Sequence, residues 1–77
     1  MIVLLRWREG DEPGEVVVHR VLDDEEALND RIALIGRANP QYPLERVGPM
    51  VWRIGPDFDE GFFGNRPVWF KAMEVER

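Results

Sequence analysis

Apolar and polar residues alternate from the first position. Met1, Val3, Leu5 and Trp7 fall on one side of an extended chain, and Ile2, Leu4, Arg6 and Arg8 on the other. Gly10-Asp11-Glu12-Pro13-Gly14 then supplies the residues of a turn. Glu15 to Leu22 is β-branched and apolar enough for a second strand, so the two pair as an antiparallel hairpin. At Asp23 the period changes. Asp23 reads as an N-cap with Glu26 three residues on, a capping-box spacing, and Leu22 and Ala27 sit where a weak hydrophobic staple forms. Asp24, Glu25 and Glu26 suit the positive end of a helix dipole. Leu28, Ile32 and Ile35, with Leu34 beside them, make one core-facing stripe. Asn39-Pro40 ends the pattern, because the residue before proline is pushed out of helical angles. A helix over about 24–38 is predicted.

Beyond the helix the signal is weaker. Residues 39–49 hold three prolines and Tyr42 and read as an extended connection. Arg46-Val47-Gly48-Pro49 is echoed by Arg53-Ile54-Gly55-Pro56, which suggests two Gly-Pro turns bracketing a short strand, Met50 to Ile54. Residues 55–67 read as a loop. Val68 to Val75 is the last strand, with Trp69, Lys71, Met73 and Val75 on one face and Val68, Phe70, Ala72 and Glu74 on the other.

The expected fold is therefore one small α+β domain over residues 1–77. It is an antiparallel sheet of three to four strands in the order β-β-α-β-β, with a single helix on one face. One helix shields one side only. Yet Leu4 stands beside Leu5, and Trp69 beside Phe70, so both faces carry large apolar groups. The spare face needs a loop or another chain to bury it, and this is the main sequence hint of an interface.

Composition narrows the chemistry. The chain of 77 residues has no Cys, and no Ser or Thr stands anywhere in it. Nucleophilic catalysis through a hydroxyl or thiol of those residues is excluded, as is N-glycosylation. Stability has to come from packing, since a chain this short buries only about 60% of its unfolded surface. Arginine outnumbers lysine nine to one, and Asn plus Gln total four, a usage compatible with a GC-rich genome or with heat adaptation. The apolar start is followed at once by Arg6 and Arg8, unlike a signal peptide, and no apolar run approaches a membrane span. A cytoplasmic protein is the expectation.

The net charge of −5 is unevenly spread. Nine acids against Arg20 alone give residues 9–30 a charge of −8, and the remaining six acids and nine bases give +3. Asp23, Asp24, Glu25 and Glu26 form the densest acidic run, a candidate surface for a basic partner.

No motif assigns a reaction. His19 is the sole histidine and sits in a strand, so a zinc site would need mostly carboxylates. Asp57, Asp59, Glu60 and Gly61 resemble part of a calcium loop. Counted from Asp57, however, Phe62 stands where that loop needs Gly and Val68 where it needs Glu. No phosphate-cradling Gly motif is present. Neither a metal nor a cofactor is expected. Phe62 and Phe63, between two glycines, form either a lid on the core or an aromatic anchor, with Asp57, Asp59, Glu60 and Arg66 around them.

These observations favour a non-enzymatic interaction domain. It would bind a partner protein or itself through the spare sheet face and the 57–66 loop. Small regulators or inhibitors of the kind phages encode share its size and charge, and nothing more specific. The alternative is a nucleic-acid-binding module using Arg6, Arg8, Arg53 and Arg66 with strand aromatics, against which the net charge counts. An enzyme of unspecified class is the third reading.

Overall fold

The alternation at the amino terminus becomes strand β1 (Ile2–Arg8). The computed structural model describes residues 1–57 and 66–76, Pro56 and Asp57 through their backbone alone. After β1 the chain turns through Gly10, whose φ of 89° favours glycine, and makes a single 3-10 turn, Pro13–Glu15. Pro13 fits the start of that turn because its missing N–H would be unsatisfied there anyway. The Glu12 N–H donates to Glu15 Oε1 at 3.1 Å and closes a capping box. Strand β2 (Val17–Leu22) therefore begins two residues later than the apolar run suggested.

Helix α1 spans Glu25–Ala38. Its cap is Asp24 and not Asp23. The Asp24 side chain accepts the Ala27 N–H at 2.9 Å from an extended backbone. Both acids have the right chemistry, so the register of the buried stripe on the sheet decides which one caps. At the other end the Asn39 side-chain amide donates to the Ile35 carbonyl at 2.9 Å, and its N–H to the Gly36 carbonyl at 3.3 Å.

Three strands follow the helix where two were expected: β3 (Leu44–Gly48), β4 (Val51–Asp57) and β5 (Arg66–Glu74). All pairings are antiparallel, and the order across the sheet is β2-β1-β5-β4-β3. The strand missed in the sequence is β3, inside the stretch read as an extended connection. As an edge strand it pairs on one side only, so Pro43 and Pro49 can flank it. Arg46 braces the β3–β4 turn by donating to the carbonyls of Gly48 and Pro49, at 3.3 and 2.6 Å.

The Gly-Pro echo has two different outcomes. Gly48-Pro49 leads into that turn, whereas Gly55-Pro56 lies inside β4. The register shifts between Ile54 and Asp57, where two β4 residues stand against Pro67 alone. Prolines on both strands remove ladder donors, which suits a bulge. A Cβ on Gly55 would lie 2.5 Å from Pro67 Cα, so only glycine fits the approach. Pro67 still uses its carbonyl on the other side, accepting the Glu9 N–H at 2.8 Å.

The core lies between α1 and one sheet face. Leu4 and Leu28, the two most enclosed side chains, meet Ile2, Phe70 and Ala72 near the sheet centre. Trp52, Ile54 and Val68 continue the layer, with Ile32, Tyr42 and Leu44 packed at its margin. No helix among the described residues is long and apolar enough to cross a membrane.

Candidate functional site

Cross-strand register defines the face away from the helix, because directly opposed residues share a side. Three rows cross it. Val21, Val3 and Met73 form the first. Val18, Leu5, Lys71 and Val51 form the second. Trp7, Trp69, Arg53 and Glu45 form the third. Of these eleven residues, eight are apolar or aromatic. No described element lies over them: Val18 is 58% exposed, Val21 59% and Met73 46%. The rings of Trp7 and Trp69 stack with centroids 6.1 Å apart and planes 9° from parallel. The Arg53 guanidinium carbon lies 5.8 Å from the Trp69 centroid, and Arg53 also meets Glu45 at 3.7 Å.

Among the residues singled out in the sequence, Arg66 has a definite structural task. It donates to Asp11 Oδ1 at 2.9 Å and to the Glu9 carbonyl at 3.4 Å, tying β5 to the turn after β1. Asp11 Oδ2 also accepts the Arg8 N–H at 2.8 Å. That backbone bond, helped by Arg66, holds the Asp11 carboxyl below its ordinary range, while burial works the other way. Asp57 closes β4 opposite Arg66. Asp59, Glu60, Phe62 and Phe63 lie outside the described residues, and the reading that joins them to Arg66 stays with the sequence.

The acids divide into two groups. Glu9, Asp11, Glu12 and Glu15 lie around one end of β2, and Asp23, Asp24, Glu25 and Glu26 at the other. Six strand residues, about 20 Å of extended chain, separate them. The acidic third of the chain is thus not one continuous face. Asp24 acts as the helix cap, and all four residues of the 23–26 run are exposed.

A feature the sequence reading missed lies on the helix side. There α1 and the sheet border an open cleft of about 500 Å3, lined in part by Arg6, Arg8, Arg31 and His19. An extra residue in β2, between the partners of Leu4 and Leu5, turns His19 onto this side. Its ring meets Phe70 edge-on at 5.4 Å. Burial, and then the positive charges of Arg31, Arg6 and Arg20, lower its pKa from the usual 6.5. The signal was present in the alternation of β1, which sets Arg6 and Arg8 on the same side as Ile2 and Leu4. Among the described residues no three His, Cys, Asp or Glu side chains gather closely enough to hold a metal ion.

The class defined by this geometry is a five-stranded antiparallel sheet with one helix on one face and an apolar opposite face. No family model matches the chain, and neither the curated proteins nor the solved structures include a significant match to it.

Proposed function

We propose that the protein is a small interaction domain that associates with a second copy of itself through the open sheet face. The observation that carries this reading is the set Val3, Leu5, Trp7, Val18, Val21, Val51, Trp69 and Met73, over which no described element lies; Val18, Val21 and Met73 are exposed and the other five half-buried. Contiguous apolar surface on a soluble domain marks an interaction site. Charge permits two copies to meet there. Despite the net charge of −5, Glu45 is the only acid in the three rows, and Arg53 sits against it.

Size sets the expected strength. Five strands about 4.8 Å apart, each about seven residues long, give a face of roughly 500 Å2. Two such faces remove on the order of 1,000 Å2 from water, the lower limit for a specific interface. The association is therefore concentration-dependent, and sheet-on-sheet packing about 10 Å thick is its natural geometry.

Sedimentation velocity from micromolar to millimolar protein tests the reading. Wild type shifts from monomer to dimer across the range, and Val18→Asp and Met73→Asp stay monomeric with unchanged circular dichroism. A wild type that remains monomeric throughout would overturn it. Because Arg53 and Lys71 flank Trp69 in the register, labelled single-stranded DNA and RNA belong in the same experiment. Binding by the monomer that weakens steeply with salt would assign the face to nucleic acid instead.

A further inference from the structure

We infer that Lys71 sets the strength of association at the open face and the choice of partner there. Two copies that pack through this face bring their Lys71 ammonium groups together, so the preferred partner is the same face with a carboxylate at that point. The inference rests on the association proposed above and adds the residue that controls it.

Position is the first argument. Strand β5 is the third of five in the sheet, and Lys71 stands in the second of the three rows, between Leu5 on β1 and Val51 on β4. Along β5 its neighbours on the same face are Trp69 and Met73, because side chains two apart share a side. Lys71 is exposed, and it is the one lysine of the chain. A positive charge therefore occupies the middle of a face that is otherwise mainly apolar.

Symmetry gives the second. Two identical copies meeting face to face are related by a two-fold axis that runs between the sheets. The contact buries most surface when that axis crosses the middle of the patch, and a residue on the axis meets its own copy. Any such line through the middle passes over Lys71. The result does not depend on the angle at which the two sheets cross.

The third argument is charge. Glu45, the one acid in the three rows, lies two strands from Lys71, about 10 Å, and rests against Arg53. It neutralises Arg53 and leaves the central ammonium as it is. Like charges brought together in a contact that is losing water repel and forfeit hydration at once. A carboxylate on one of the two sides turns that repulsion into attraction. Lys71 thus acts against an identical copy and in favour of one with the opposite charge at its centre.

NMR titration of isotope-labelled Lys71→Glu protein with unlabelled wild type, beside each protein titrated with itself, tests the inference. The mixed pair has a dissociation constant at least about tenfold below that of either self-pair, and its formation moves the signals of Val18, Val21 and Met73. General repulsion between acidic proteins would put the mixed pair between the two self-pairs, so only direct opposition at position 71 makes it the tightest. Salt narrows the gap. Lys71→Met associates with itself more tightly than wild type, Lys71→Arg does not, and Met73→Asp in the unlabelled chain abolishes the mixed pair. Each variant keeps the circular dichroism of wild type, because the site is exposed. If wild type dimerises and the mixed pair is no tighter, or Lys71→Met is no tighter, the inference is overturned and the association stands. If wild type stays monomeric while the mixed pair forms, self-association of wild type falls and Lys71 stands as the selecting charge. Absence of every pairing at millimolar protein removes both.

Discussion

Arg66 on β5 and Asp11 in the turn after β1 meet at 2.9 Å, although 55 positions separate them in sequence. The Asp11 side chain is only 6% exposed, while Arg66 remains 38% exposed. A carboxylate held between a backbone N–H and a guanidinium orders the end of the sheet where β1 leaves it. The pH dependence follows from the sign of its shift. Asp11 is depressed in the folded state, so its contribution is complete above its unfolded pKa of about 3.9 and declines as pH falls through the lower folded value. Asp11→Asn should lower the urea midpoint at pH 7 and flatten its decline between pH 4 and pH 2. Equal loss of stability by wild type and Asp11→Asn over that range would show that the carboxylate does not matter.

Glycine positions separate two kinds of constraint. Gly55 is required for space, because an added Cβ meets the Pro67 backbone at 2.5 Å. Gly55→Ala should cost about 1–3 kcal/mol, in line with overpacking elsewhere. Gly14 has neither a positive φ nor any atom within 4 Å of a built Cβ. Gly14→Ala should be neutral or stabilise by up to about 1 kcal/mol through the unfolded state. Urea midpoints of the pair test the bulge directly, and a tolerated Gly55→Ala would mean that β4 and β5 part more easily than their register implies.

Much of this fold could be read from the chain. The faces of β1 and β5 follow from alternation alone, and α1 from its buried stripe. Two things escaped. Strand β3 is short, lies at an edge and is flanked by prolines, so its pattern resembles a connection. The helix cap moved by one residue because Asp23 and Asp24 are chemically equivalent, and only packing chooses between them. The open face was legible as a surplus of apolar groups, but its composition was not. Sequence neighbours of a strand tryptophan point away from it. It took the register to bring Arg53 beside Trp69, from a strand that pairs across the sheet. The cavity shows the reverse. Arg6 and Arg8 were already on the helix side by alternation, but their convergence with Arg31 and His19 depends on where α1 ends and where β2 bulges.

The two tryptophans make a prediction that stands apart from association. Stacked aromatic pairs contribute about 0.5–1.5 kcal/mol beyond the area they bury. A double-mutant cycle of Trp7→Leu and Trp69→Leu, measured at a concentration where the protein is monomeric, should return a coupling of that order. Additive losses would mean that the rings act as separate apolar cover and not as a pair.

His19 supplies the last prediction. Burial leads in lowering its pKa, followed by Arg31 from α1, Arg6 from β1 and Arg20 from β2 itself. For a base depressed in the fold, the unfolded chain binds more protons between the two pKa values, so stability rises with pH there. The contribution is complete above about 6.5, the unfolded value, and falls as pH drops towards the folded one. Replacing His19 by Leu removes both the titration and a buried Nε2 that has no hydrogen-bond partner. The variant should match or exceed wild type below pH 6 and lose the step that wild type shows there. Arg31→Glu should act on the same step from the other side. It replaces a repelling charge with an attracting one, so the imidazole pKa rises and the stability step shrinks. NMR of the ring reads the first effect and urea titration the second. If Arg31→Glu leaves the imidazole where it was, Arg31 does not act on His19 across the cavity.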